Sequence, residues 1–228
     1  MLRLFAYVVI LFGASCLGCA PTLAPMTTLD QDRARLSTIL DRYPPIEQRI
    51  TREFAAYLRS RLATAARFQR STGRGSPEII FVTASEPFAL SVGSRYIIVS
   101  SQMVALLPIE AELAFVVAHE MAHQWLGHPA LLDTDYRLHA GKQMERDADK
   151  TALGIMALAG YDPRAAQGAL VQVYRLLSPS LADAQSHPEL KERVGALDSA
   201  LARSGWMPPG TLNRREYQRL RIALTELG

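Results

Sequence analysis

Cysteine is almost absent from this sequence. Its 228 residues contain only two cysteines, Cys16 and Cys19, both close to the N-terminus. A disulfide framework in the folded domain is therefore excluded, and the two thiols need another explanation. A strong charge of one sign is also missing, because the formal net charge is only +3. The chain therefore lacks the basic footprint of nucleic-acid-binding proteins, and no nucleic-acid partner is expected.

Long apolar runs are missing beyond the first 20 residues, so no membrane-spanning helix is expected there. The run Leu4 to Ala14 follows Arg3 and is too short to cross a bilayer comfortably. With the cysteines behind it, this segment resembles a bacterial lipoprotein signal, whose cysteine carries lipid after cleavage. Cys19, preceded by Gly18, fits best. Cys16 is the second candidate, and an uncleaved anchor helix is the alternative. Neither cysteine precedes an aspartate, which implies the outer membrane.

The chain is expected to form one compact domain behind this signal, because 49% of its residues are hydrophobic and can supply a core. Residues 1–19 are the lipoprotein signal segment and 20–75 a tether with N-terminal helices. Residues 76–203 are the core, and 204–228 are a C-terminal helix.

Apolar spacing and turn signals predict the secondary structure. Helices are expected at about 29–42, 46–70, 108–127, 140–159, from 162 onward, 188–203 and 213–226; strands are expected at 78–83 and 95–100, with a loop at 86–94. The predicted fold class is α+β and mostly helical.

Residues 119–123, with the sequence HEMAH, carry the strongest chemical signal. Residues four apart lie on one face of a helix, so His119 and His123 can bind one metal ion through their imidazoles. Glu120 projects beside them and can move a proton from a water at the metal to the leaving amine. Zinc lowers the pKa of such a water to about 7. The apolar run at 113–118 indicates a buried helix, where unpartnered His and Glu would be costly.

A catalytic zinc usually takes three protein ligands and keeps one position open. Glu145 is a candidate, because a helix returning after the loop with Pro129 would bring its carboxylate back to the histidines. His128 and His139 compete. His128 is expected to complement the helix dipole as an imidazolium, and His139 to lie in a loop or first turn at the surface. Asp149 can accept the other N–H of a zinc-bound histidine, unless it forms a solvated salt bridge.

Four motifs occur in order: HEMAH at 119–123, ERDAD at 145–149, AGYDP at 159–163, and SHP at 186–188 followed by Arg193. Together they resemble the HtpX and CAAX-prenyl-protease type of gluzincin metallopeptidases over about residues 76–200. They are most similar to the soluble bacterial lipoprotein branch, which consists of periplasmic quality-control proteases. The resemblance implies a zincin-like metallopeptidase domain with a small β-sheet packed on the active-site helix.

The resemblance also implies roles for single residues. Glu145 would be the third ligand of one zinc ion per chain, with Asp149 as its helix partner. His187 and Arg193 would approach the site, where His187 would steady the oxyanion and Arg193 would orient the site. Sequence alone places His187 before the helix that starts at Pro188. A latent state with His187 on the zinc is a second functional option.

The family further implies that the strand near 95–100 is a sheet edge beside the cleft, to which an extended substrate could add as a further strand. This chain departs from the family here. The family usually has an asparagine-alanine pair before this strand, whereas this chain has Glu86-Pro87. The departure concerns the substrate-side contacts and not the zinc chemistry.

The sequence therefore predicts a zinc-dependent endopeptidase that hydrolyses unfolded or misassembled proteins of the bacterial cell envelope. It would be anchored by lipid on the periplasmic side and otherwise soluble. The alternative is a chaperone-like or binding lipoprotein that keeps the zinc fold but cleaves little. Every expected catalytic residue is present, which disfavours the alternative. The sequence does not specify the natural substrate, the cleavage preference or the oligomeric state.

Overall fold

The computed structural model describes residues 28–68, 76–128, 134–177, 190–204 and 210–227. In chain order, the elements in these ranges are α1 (Leu29–Arg42), α2 (Arg49–Phe68), β1 (Glu78–Val82), β2 (Ala89–Val92), β3 (Tyr96–Ser100), α3 (Ser101–Leu106), α4 (Glu110–Leu126), α5 (Thr134–Leu158), α6 (Ala165–Leu177), α7 (Leu190–Ser204) and α8 (Arg215–Thr225). Helices dominate, and a single small sheet packs among them. The predicted α+β, mostly helical class is confirmed.

The sheet has the strand order β1–β3–β2, with β1 parallel and β2 antiparallel to the central strand. Two expectations were wrong. Residues 86–94 are not only a loop, because Ala89–Val92 form β2. The strand at 95–100 is not a sheet edge, because β1 and β2 pair with both of its sides. β2 is an edge strand of this sheet, and it packs against α4.

Ser100 joins the sheet to a short helix that the sequence patterns did not reveal. Its hydroxyl accepts a hydrogen bond from the backbone N–H of Phe88 at 2.9 Å and from that of Met103 at 3.1 Å. The second bond caps α3, which begins directly after β3. α3 has only six residues and β2 has only four, and both are too short for a clear period in the sequence.

The central helix of the core is α4, which buries residues on nearly all of its sides. It packs against α5, α6 and the sheet. It begins at Glu110, two residues after the predicted start at Pro108, and ends at Leu126. Gly127 follows with a φ of 71°, the left-handed conformation that glycine adopts readily at helix ends.

Glu110 fixes the N-terminal end of α4. Its fully buried carboxylate accepts hydrogen bonds from the hydroxyls of Tyr57 at 2.6 Å and Tyr161 at 2.9 Å. It also pairs with the Arg214 guanidinium at 2.6 Å and accepts the Arg214 backbone N–H at 2.8 Å. A buried carboxylate is tolerated only with such partners. The network ties α2 and the segment before α8 to the start of the site-bearing helix.

The longest helices, α2 and α5, have 20 and 25 residues. Length alone would let either cross a bilayer. No helix in the described ranges, however, combines this length with the hydropathy that a membrane span needs. In α2, Phe54, Leu58 and Leu62 are fully buried at four-residue spacing while Arg52 and Arg59 are exposed, as in a helix packed on a core.

The turn between β2 and β3 supports a stability prediction. Gly93 has a φ of 56°, and a Cβ there would lie 1.7 Å from Oδ1 of Asp32, whose buried carboxylate accepts the Ser94 N–H at 3.1 Å. Gly93→Ala is expected to lower the free energy of unfolding by about 2 kcal/mol in chemical denaturation. Gly154→Ala, with open space around it in α5, is the control and should raise this energy by up to about 1 kcal/mol. Equal effects would contradict the packing of Asp32 on the turn.

Candidate metal centre

Two histidines of α4 face each other in the interior. His119 and His123 lie one helical turn apart, and their side chains are 7% and 14% exposed. Their Nε2 atoms are 3.0 Å apart, and the rings meet edge to face with centroids 4.6 Å apart. Both imidazoles therefore present Nε2 to the same point, while their Nδ1 atoms point to other partners.

α5 brings two carboxylates to this face of α4. Glu145 lies between the histidines, with Oε2 3.1 Å from Nε2 of His119 and Oε1 3.3 Å from Nε2 of His123. Asp149, one turn later, has Oδ1 3.0 Å from Nδ1 of His119. Glu145 contacts both histidines, whereas Asp149, which lies later on α5, contacts only the earlier histidine, His119. The two helices therefore run in opposite directions.

His119, His123 and Glu145 offer three donor atoms that fit a zinc ion. All three lie within 4.8 Å of one another. Atoms that are each about 2 Å from one tetrahedral zinc lie about 3.3 Å apart, close to the observed contacts. No described residue donates a well-aligned hydrogen bond to the buried Oε2 of Glu145, and a bound metal ion would give this oxygen the partner it lacks. Two imidazoles and one carboxylate are a donor set typical of catalytic zinc.

The two carboxylates make this centre attractive to cations. Burial alone would lower the pKa of His119, but Glu145 and Asp149 outweigh it and raise this pKa to about 10. Burial would raise the pKa of Glu145, yet His123 and His119 hold it well below its usual value. Without a metal, His119 therefore keeps its proton at neutral pH, and a metal ion binding there would replace that proton.

Arg193 of α7 is enclosed beside these carboxylates, with 1% of its surface exposed. Its Nε donates to Oδ2 of Asp149 at 2.8 Å, Nη2 pairs with Oδ1 of the same carboxylate, and Nη1 lies 3.6 Å from Oε2 of Glu145. This bidentate pair fixes the plane of Asp149, which in turn fixes the His119 ring. The structure thus places Arg193 in contact with both carboxylates beside the centre.

Removing this guanidinium should be costly. Arg193→Leu is expected to lower the free energy of unfolding by about 3 kcal/mol in chemical denaturation, because two buried carboxylates lose their cation. Arg203→Leu, on an exposed turn of the same helix, is the control and should change it by less than about 0.5 kcal/mol. A similar small effect for both variants would mean that the buried ion pair does not stabilise the fold.

Glu120 lies between this centre and the edge of the sheet. Its Oε2 accepts the backbone N–H of Ser91 in β2 at 2.7 Å, and no described residue donates a hydrogen bond to its Oε1. Burial raises the pKa of Glu120 above its usual value, although His123 and His119 oppose this shift. A carboxylate held in place with a raised pKa is suited to accept and return a proton near neutral pH.

The sequence predicts a loop at 86–94, so Ser91 is not among the predicted site residues. A signal was present: Ala89–Val92 lie between Pro87 and Gly93, two residues that commonly bound short strands. The contact with Glu120, 29 residues away in sequence, could not be derived from either segment alone.

An apolar pocket opens beside His119 and Glu120. Its apolar walls include Met103 of α3, Phe115 and Val116 of α4, and Leu170 and Val173 of α6. Ala89 of β2 also lines the pocket. The pocket can therefore accept an apolar side chain from a chain lying along β2.

The two competing histidines occupy different positions. His128 is not the expected imidazolium, because burial and the neighbouring charge of His123 lower its pKa to about 3. Its Nδ1 lies 2.9 Å from Nδ1 of His123, behind the centre. His139 lies inside α5, in neither a loop nor a first turn, and its side chain is not among those described.

Three predicted residues lie outside the described ranges: His187, Cys19 and Cys16. The structure brings together the other predicted residues, His119, Glu120, His123, Glu145, Asp149 and Arg193. Their individual roles stay predictions.

A buried helix carrying two histidines and a glutamate base, with a second glutamate from the next helix, defines the class of zincin-like metallopeptidases. The chain belongs to peptidase family M48, whose sequence model matches residues 53–138 and 130–201. The match begins within α2, earlier than the resemblance that the motifs alone indicated. A comparison with curated proteins found no significant match. The protein is therefore a metallopeptidase hydrolase by family, and zinc is the metal that this family generally uses.

Proposed function

We propose that this protein is an endopeptidase that uses one zinc ion per chain to hydrolyse unfolded or misassembled proteins of the bacterial cell envelope. The observation that carries the proposal is the convergence of three metal donors and Glu120 beside a strand edge. His119, His123 and Glu145 would hold the zinc. When bound, zinc polarises the peptide carbonyl and acidifies the attacking water.

Glu120 would act as the general base and then as the general acid. Ser91 fixes one of its carboxylate oxygens, so the other is available to take the proton of the attacking water. The same carboxylate can then give that proton to the leaving amine. Its buried position keeps the carboxylate out of bulk water and favours the protonated form that this second step requires.

The open side of β2 supports an extended substrate. The backbone N–H of Ser100 donates to the carbonyl of Phe88 at 2.9 Å and the Phe88 N–H donates to the Ser100 hydroxyl, so the polar groups of Phe88 face β3. By alternation, the backbone polar groups of Ala89 and Ser91 face away from β3. A substrate strand could pair with the carbonyls there and with the Ala89 N–H. Unfolded proteins supply extended segments with unpaired backbone groups, which supports them as the substrate class.

The apolar pocket supports a preference for an apolar side chain next to the scissile bond. Leu170 and Val173 line it on the side of α6, and Phe115 lines it on the side of α4. Unfolded proteins expose such side chains, whereas folded proteins bury them. The pocket and the strand edge thus favour the same class of substrate.

The proposed location is the periplasmic side of the cell envelope, with lipid on Cys19 holding the protein at the outer membrane. The apolar run Leu4 to Ala14 and the Gly18-Cys19 pair support this placement. Cys19→Ala should release the protein from the membrane fraction. Release by Cys16→Ala instead would show that Cys16 carries the lipid.

His187 would steady the oxyanion, or would occupy the open metal position in a latent state.

The substrate class is tested with one globular protein in two forms, native and permanently unfolded by reduction and alkylation. The purified full chain with zinc should cleave the unfolded form and leave the native form intact, as followed by gel electrophoresis and mass spectrometry. A chelator should abolish the cleavage. Equal cleavage of both forms would contradict the proposed specificity. Stoichiometric zinc with no cleavage of either form would favour the alternative, a chaperone-like or binding lipoprotein.

A further inference from the structure

The two histidines of the metal centre have different partners behind them. His119 turns its Nδ1 toward the carboxylate of Asp149, at 3.0 Å. His123 turns its Nδ1 toward a third imidazole, that of His128, at 2.9 Å. The His123 and His128 rings meet edge to face with centroids 5.0 Å apart. His128 is partly buried, and the sequence analysis weighed it as a ligand but expected it to complement the helix dipole.

The end of α4 explains how His128 reaches this position. A residue five positions after His123 would not share its face on a continuous helix. Gly127, however, takes a left-handed conformation with a φ of 71°, and the His128 N–H donates to the His123 carbonyl at 2.9 Å. This is the bonding of a Schellman turn. The turn folds the backbone back, so that both the main chain and the side chain of His128 contact His123.

The proton positions follow from the chemistry of imidazole. When His123 binds a metal through Nε2, its Nδ1 must carry the proton and can only donate. The atom opposite it, Nδ1 of His128, must then be unprotonated and accept. The reverse arrangement would leave the proton on Nε2 of His123 and block the metal.

We propose that His128 is a positioning residue that holds His123 in its metal-binding tautomer and orientation. It would do for His123 what Asp149 does for His119. The inference rests on the zinc site of the proposed function but does not depend on proteolysis. Its measured quantity is therefore metal affinity, so a failure to cleave any protein would bear on the proposed function and not on this proposal.

The test compares three substitutions in the purified full chain. His128→Leu removes the acceptor and should weaken zinc binding by about 10- to 100-fold, measured by competition with a chromophoric chelator. His128→Asn can place its amide oxygen near the position of Nδ1 and should recover most of the affinity. His128→Gln reaches instead toward the position of Nε2, so it is the matched control and should recover little. The unfolding midpoint of His128→Leu should fall more with zinc than in EDTA.

Three results would overturn the proposal. One is unchanged zinc affinity in His128→Leu. Another is equal affinity in the Asn and Gln variants, which would show that the position of the acceptor is irrelevant. The third is an equal fall of the unfolding midpoint with and without zinc, which would indicate a purely structural role. If His128→Leu does not fold, the comparison of Asn with Gln decides by itself.

Discussion

Replacing Glu120 with glutamine is expected to lower kcat for an unfolded protein substrate by about a thousandfold while zinc stays bound. Glutamine keeps the size of the side chain and can still accept the Ser91 N–H, which lies 2.7 Å from Glu120 in the structure. It cannot take up or return a proton. The measurement is the initial rate of cleavage at saturating substrate, together with the zinc content of the same preparation.

Glu112→Gln is the matched control for this variant. Glu112 is a buried glutamate on the same helix, eight residues earlier, and it lies outside the metal centre. The same chemical change there should leave turnover and zinc content close to those of the unaltered protein. A Glu120→Gln enzyme that keeps most of its activity would show that another group moves the proton, and the proposed mechanism would then be wrong.

Replacing Glu145 with glutamine should have the second large effect, on the metal itself. Glu145 lies 3.1 Å and 3.3 Å from the Nε2 atoms of His119 and His123 and supplies the only carboxylate among the three candidate ligands. Its loss removes a charged donor and is expected to weaken zinc binding by at least about a hundredfold, because even outer partners of zinc ligands are worth about 10- to 100-fold. The measurement is bound zinc after dialysis, with chelator competition for affinity.

The control for this variant is Asp147→Asn on the same helix. The substitution Asp147→Asn removes one carboxylate charge two residues later in the helix. The Oδ1 of Asp147 accepts a hydrogen bond from Gln143 at 2.9 Å, away from the histidines. Its zinc affinity should stay near that of the unaltered protein. If Glu145→Gln keeps zinc as well as Asp147→Asn does, then another residue is the third ligand. His187, which the family resemblance predicts to approach the site, and His139 would then be the candidates.

Much of the helical framework could be predicted from local patterns. The helix from Leu29 to Arg42 has the predicted bounds, and α4 differs from its prediction by two residues at one end. These segments are long enough for apolar periodicity and end signals to act together. β2 and α3 were missed because four and six residues are too few for a period, and their identity depends on pairing and packing with β3.

The sequence by itself determined the reactive face of α4. His119 and His123 share a face, with Glu120 beside them, because the helical repeat is a local property of the backbone. The same holds for the four-residue step from Glu145 to Asp149. These spacings, with the motifs around them, were sufficient to identify the family.

Only the tertiary structure decided which groups surround that face. Ser91 reaches Glu120 because β2 is the sheet edge, Arg193 reaches Asp149 from a helix 44 residues away, and the Gly127 turn brings His128 behind His123. Each of these contacts joins segments whose approach is set by packing of the whole core or by one left-handed residue. Hydrophobic periodicity carries no information about either. The contacts of Ser91 and His128 were therefore not predicted, whereas Arg193 was expected near the site only through the family resemblance.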